Sequence, residues 1–113
     1  MSILRALRAE LPAEDFVYFA DTAHAPYGER GDAYVAERTR SVADRLRRHH
    51  SIKALVIACN TATAAGIHQM RREHPDLPIV GVEPALKPAV AISRTRRIGV
   101  MAMRGTLTSA RWR

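Results

Sequence analysis

One cysteine stands in the 113-residue chain, at position 59, and its neighbours are those of a reactive group. It closes a mostly apolar run, residues 53–58, that reads as a buried strand. Asn60, Thr61, Ala62 and Thr63 follow at once, and then an alanine-rich stretch with helical character. A strand that ends in a thiol, and then in small donors opening a helix, describes a site. The backbone N–H groups of a helix start lack partners within the helix and favour an anion above the strand end. A thiol acts as nucleophile or base in its anionic form. Two plainer roles compete: a lone cysteine also serves as a small core residue, and Asn and Thr at a helix start also serve as caps.

Other chemistries find less support. A phosphatase-type thiol needs an arginine six residues on to clamp phosphate, and that position is Ala65. With one cysteine there is no internal disulfide, no Cys-x-x-Cys redox pair and no cysteine-cluster metal site. No glycine-rich phosphate loop of the Gly-x-Gly-x-x-Gly or Walker type follows any strand. The histidines, at 24, 49, 50, 68 and 74, lack the spacing of a metal set. His24 alone falls in a loop near the candidate site, and its expected state is a solvated loop side chain.

The elements that must position Cys59 can be read in order. Residues 1–10 form the last turns of a helix, with Ile3, Leu4 and Leu7 on one face. Residues 16–20 read as a strand. Residues 21–31 are a breaker-rich loop containing Pro26, Gly28 and Gly31. Asp32 is the expected cap of a helix to about His50, with Val35, Thr39, Val42 and Leu46 on one face. The helix after Cys59 runs to about His74, with Ala64, Ile67 and Met70 inward. Strands are expected at 79–82 and 97–101, with a helix over 85–93 between them and another opening at Gly105 and Thr106. Strand and helix alternate, and the strands are apolar on both faces. The expected fold class is therefore α/β: a parallel sheet of about four strands with helices on both faces. In such sheets ligands bind at the carboxyl ends of the strands. Loops 21–31, 59–63, 81–85 and 102–106 then line one cleft.

Composition bounds the partners. The length allows one domain at most. The net charge is +7, from 16 arginines and two lysines against 11 acidic residues. The arginines are scattered and aromatic content is only 5%, so nothing is interleaved for base stacking. Nucleic acid is thereby disfavoured as the main partner. No apolar run approaches transmembrane length and residues 1–15 lack the apolar core of a signal peptide, so a cytoplasmic location is expected, with no membrane association.

Taken together, the loops resemble the glutamate racemases of the aspartate/glutamate racemase superfamily. The carriers are Phe19-Ala20-Asp21 with Pro26-Tyr27-Gly28-Glu29-Arg30, Ala58-Cys59-Asn60-Thr61-Ala62-Thr63, Gly81-Val82-Glu83-Pro84-Ala85, and Gly105-Thr106-Leu107. The resemblance covers essentially the whole chain. It implies cofactor-independent interconversion of L- and D-glutamate, supplying D-glutamate for peptidoglycan. Two cysteines on opposite faces of the α-carbon exchange its proton; Cys59 would be one of them, with no metal. Tyr27 and Gly28 resemble the substrate-binding pair, Asn60 and Thr61 the donors after the thiol, and Thr106 a donor near the substrate carboxylate. A homo-oligomer is implied for the complete protein. A weakly acidic α-proton needs a tuned base and a dry, donor-rich site, so the local chemistry agrees.

The chain also departs from that pattern. The family's first strand and its Asp-Ser turn are absent, as is the second half of its two-domain fold with the second cysteine. Methionine stands at 103 where the family usually has a threonine. The expectation is one incomplete domain, truncated at both ends, with little or no racemase activity alone. Two alternatives stand beside this one. A racemase for another amino acid, such as aspartate, would share the thiol chemistry. A non-catalytic binding module for protein or DNA would draw on the +7 charge; some family members bind DNA gyrase.

Overall fold

The computed structural model describes residues 2–83, 85–95 and 97–107. Its elements in order are α1 (Ser2–Glu10), two 3-10 turns (Thr22–His24 and Tyr27–Glu29), α2 (Asp32–His50), β1 (Leu55–Ile57), α3 (Asn60–Glu73), β2 (Ile79–Gly81), α4 (Leu86–Ile92) and α5 (Arg104–Leu107). No helix among the described residues is long and apolar enough to cross a membrane.

Helical periodicity decides the central layer. Val35, Thr39, Ala43 and Leu46 recur at three- and four-residue intervals and are the buried stripe of α2. Val42, expected inward, is half-buried at its margin. The expected cap at Asp32 is shifted by one. Gly31 holds the cap position with no side-chain bond, and Asp32 lies in the first turn, where its negative charge suits the helix dipole. Ser51, left-handed at φ 47° and ψ 45°, ends the helix. In α3 the buried residues are Thr61, Ala62, Thr63, Gly66, Ile67 and Met70, with Ala64, expected inward, only half-buried.

β1 and β2 pair in parallel with Leu55 opposite Ile79, Val56 opposite Val80 and Ile57 opposite Gly81. Parallel pairing requires a crossover, and α3 supplies it. It packs on both strands and on α2, so the core lies between these four elements. The closest approach is at Gly81. A Cβ there would stand 2.3 Å from Thr63 Cγ2 and 2.7 Å from Ile67 Cδ1, so only glycine lets the strand end sit against the helix.

The sheet of about four strands expected from sequence is corrected to two strands among the described residues. Residues 16–20 and 97–101 are irregular, and Tyr18, Val100 and Met101 stand 54%, 43% and 101% exposed. A strand exists through its ladder, and neither segment has a laddered neighbour among the described residues. Residues 16–20 face β1 across a cavity of about 1260 Å³ instead of pairing with it. Residues 97–101 follow α4, which buries none of its residues and so does not seat the next segment on the sheet. Helices were also expected on both faces. The packed helical layer is α2 with α3, and α1 likewise buries none of its residues.

Candidate active site

Cys59 lies two residues beyond the end of β1 and occupies the cap position of α3, extended at φ −146° and ψ 122°. Its carbonyl accepts the Thr63 N–H at 2.9 Å, which starts the helix. Its thiol makes no capping bond, so the cap role is carried by backbone alone and the side chain is left half-buried. It lines the large cavity together with Asp21, Tyr27 and Ala62.

Thr63 fixes this turn. Its hydroxyl donates to the Ile57 carbonyl at 3.2 Å and accepts from the Val82 N–H at 3.2 Å. One buried side chain thus ties the end of β1, the start of α3 and the segment leaving β2.

The facing loop is organised by Asp21. Arg38 clamps its carboxylate with two bonds, Nε to Oδ2 at 3.1 Å and Nη2 to Oδ1 at 2.9 Å. The Tyr27 hydroxyl donates to Oδ2 at 2.5 Å. His24 Nδ1 lies 2.9 Å from Oδ1, and since a carboxylate only accepts, the imidazole proton sits on Nδ1. The Arg38 bonds, helped by those of Tyr27 and His24 and opposed by partial burial, hold the Asp21 carboxyl at about 2. Burial, and then the bond to Asp21, push the Tyr27 phenol above its ordinary range. Tyr27 is therefore a fixed neutral donor at the cavity wall and not a base.

The residues singled out from sequence are brought onto touching elements: the Tyr27–Glu29 turn, α3 and α5 pack on one another. Cys59 and Tyr27 share the cavity. Gly28 lies beneath Met103, whose Cε would be 2.4 Å from a Cβ at this position. Thr61 and Thr106 are buried, at 7% and 3% exposure. Asn60 is exposed at the first position of α3, and none of Gly28, Asn60, Thr61 and Thr106 is among the residues lining the cavity. His24, expected as a solvated loop residue, is instead tied to Asp21. Arg38 was not legible as a site residue. It lies 17 residues from Asp21, and nothing distinguishes it locally from the other arginines of α2. The Asp21/His24 spacing of three was the one local signal for the cluster.

A half-buried thiol at a helix start and a pinned phenol line one cavity at the carboxyl end of a parallel strand in an α/β chain. The profile of the Asp/Glu/Hydantoin racemase family matches residues 1–113, and the chain belongs to that family. Among curated relatives it is similar to glutamate racemases from Ralstonia pickettii, 54% identical over 112 residues, and Pseudomonas paraeruginosa, 51% identical over 112 residues. The match covers 99% of this chain in both, but 39% and 42% of those proteins, so the chain spans about two fifths of their length. Among solved structures it matches glutamate racemase from Aquifex pyrophilus with a TM-score of 0.85 and 32% identity, over 97% of this chain and 43% of that one. It also matches glutamate racemase from Thermus thermophilus in complex with β-chloro-D-alanine, with a TM-score of 0.71 and 40% identity, over 81% of this chain and 36% of that one.

Proposed function

We propose that this chain carries one of the two proton-transfer faces of a glutamate racemase. Cys59 serves as the acid/base for one face of the glutamate α-carbon and no cofactor takes part. Tyr27 and Gly28 form the wall against the substrate, with Thr61 and Thr106 supplying donors around its carboxylate and Asn60 at the rim. The observation that carries this reading is that Cys59, at the start of α3, lines the same cavity as a Tyr27 hydroxyl locked onto Asp21. Helix-start N–H groups stabilise the charge that develops as the α-proton leaves. The names of the relatives favour glutamate over aspartate.

One thiol reaches one face of a tetrahedral carbon. These 113 residues hold a single cysteine, so alone they support proton exchange without inversion. The test is proton NMR in D₂O with L-glutamate, D-glutamate and aspartate in separate tubes, and Cys59→Ser in parallel. The expected result is loss of the α-proton signal for one glutamate enantiomer, without accumulation of its mirror image, abolished by Cys59→Ser. A folded chain with no exchange, or exchange that survives the substitution, overturns the assignment.

A further inference from the structure

α2 carries a row of cations on the flank beside Phe19. Arg38, Ser41, Arg45 and Arg48 follow one another at three- and four-residue intervals, so they share one helix face. With His24 and Phe19 they line a second cavity, of about 350 Å³, which shares only Phe19 and Val42 with the large one. No carboxylate is among the described residues lining it. Elsewhere on the same helix the arginines are neutralised. Arg40 grips Glu37 through Nε and Nη2, and Arg47 grips Asp76 through Nη1 and Nη2. Arg45 and Arg48 make no ion pair among the described residues. Arg45 instead lies over the Phe19 ring, with Cζ 5.9 Å from its centroid. Arg38 uses Nε and Nη2 on Asp21, so its Nη1 has no bond among the described residues; His24 uses Nδ1 there and leaves Nε2.

We infer that this second cavity is an anion site for a small phosphate monoester whose organic part is a flat ring. Like charges three residues apart on a helix repel, as Arg45 and Arg48 do, and a bound dianion removes that repulsion. A phosphate monoester carries close to two charges at neutral pH and three strong acceptor oxygens. Guanidinium groups match phosphate oxygens in bidentate fashion, and three arginines here meet three oxygens where a carboxylate has two. Phe19 is 39% exposed and supplies a face on which a ring stacks. The volume lies at the small end of ordinary ligand sites, roughly 300–1,000 Å³, which suits one such molecule. A nucleic-acid strand needs a row of stacking rings, and Phe19 is the one Phe, Tyr or Trp side chain lining the cavity among the described residues. Neither Cys59 nor Tyr27 lines this cavity, and the inference does not rest on the catalytic reading.

The test titrates the isotope-labelled chain with phenyl phosphate, at constant ionic strength and slightly above neutral pH, following amide and guanidinium Nε–H signals by NMR. Saturable 1:1 binding is expected, with shifts at Phe19, His24, Arg38, Arg45 and Arg48. Methyl phosphate, which lacks the ring, is expected to bind about tenfold more weakly. Arg45→Gln and Arg48→Gln each remove a charged fork from an exposed position and are expected to weaken phenyl phosphate binding about tenfold. Arg40→Gln makes the same change of charge on another face of α2 and is expected to leave binding unaltered. Absence of saturable binding overturns the proposal. So does an equal loss in Arg40→Gln, which would mean attraction by net charge alone, and equal affinity for methyl phosphate removes the ring from it. Anionic lipid vesicles and a single-stranded oligonucleotide are the remaining arms. If either displaces phenyl phosphate at a lower concentration of phosphate groups, the small-molecule assignment falls in favour of a membrane surface or a nucleic acid.

Discussion

At the residue scale, Asp21 is the side chain on which the facing loop depends. Its carboxyl is held at about 2, below its ordinary value of 3.8, chiefly by Arg38. A carboxyl depressed by folding contributes stability that is fully present above its unfolded value and is lost as pH falls toward its folded value. With Arg38 at 23% and Asp21 at 13% exposure the pair is partly screened, so the contribution is roughly 1–2 kcal/mol. Asp21→Asn is therefore expected to lower the unfolding free energy from urea titration at neutral pH by that amount. The gap between variant and parent should close as pH falls from about 4 to 2. A gap that persists at pH 2 would mean that the bonds act through shape rather than charge. Legibility at this scale divides by sequence distance. The placing of Cys59 at the start of a helix could be read because the two are adjacent in the chain. Arg38 could not, because its partner is brought to it only by the fold.

At the element scale, the β1–α3–β2 unit was legible and the flanking strands were not, for one physical reason. The central unit closes its own ladder through its own crossover helix, so local pattern and tertiary structure agree. Segments 16–20 and 97–101 have the composition of buried strands, but composition supplies no neighbour to pair with. The junction that makes the central unit work is Gly81 against Thr63 and Ile67. Gly81→Ala places a methyl group 2.3 Å from Thr63 Cγ2, in a position where Thr63 is already held by two hydrogen bonds. Overpacking of this kind costs about 1–3 kcal/mol. The expected outcome is an unfolding free energy lowered by that amount, read as a lower denaturation midpoint, with the amide signals of Ile57 and Val82 shifted as the Thr63 bonds stretch. An unchanged midpoint would show that β2 can withdraw from α3 without loss, and that Gly81 is present for another reason.

At the scale of the whole molecule, the chain is more open than its length requires. Its radius of gyration is 15.2 Å, against about 13 Å for a compact domain of about this size. The difference follows from how stability is distributed. α2, α3, β1 and β2 bury the aliphatic core, whereas α1 and α4 bury nothing. One tie between residues lining the large cavity is polar, an exposed Lys53–Glu14 pair. An exposed ion pair contributes at most about 1 kcal/mol, too little to hold an amphipathic helix in place. Native-state hydrogen exchange should then separate into two classes. Amides of α2, α3 and β2 are expected to exchange only with global unfolding, and those of α1 and 16–20 by local opening at rates insensitive to a core substitution such as Ile67→Ala. If α1 exchanged as slowly as α3 and responded to Ile67→Ala by the same factor, the chain would be a single cooperative unit, and the cavity beside β1 would be a packed part of it rather than an open slot.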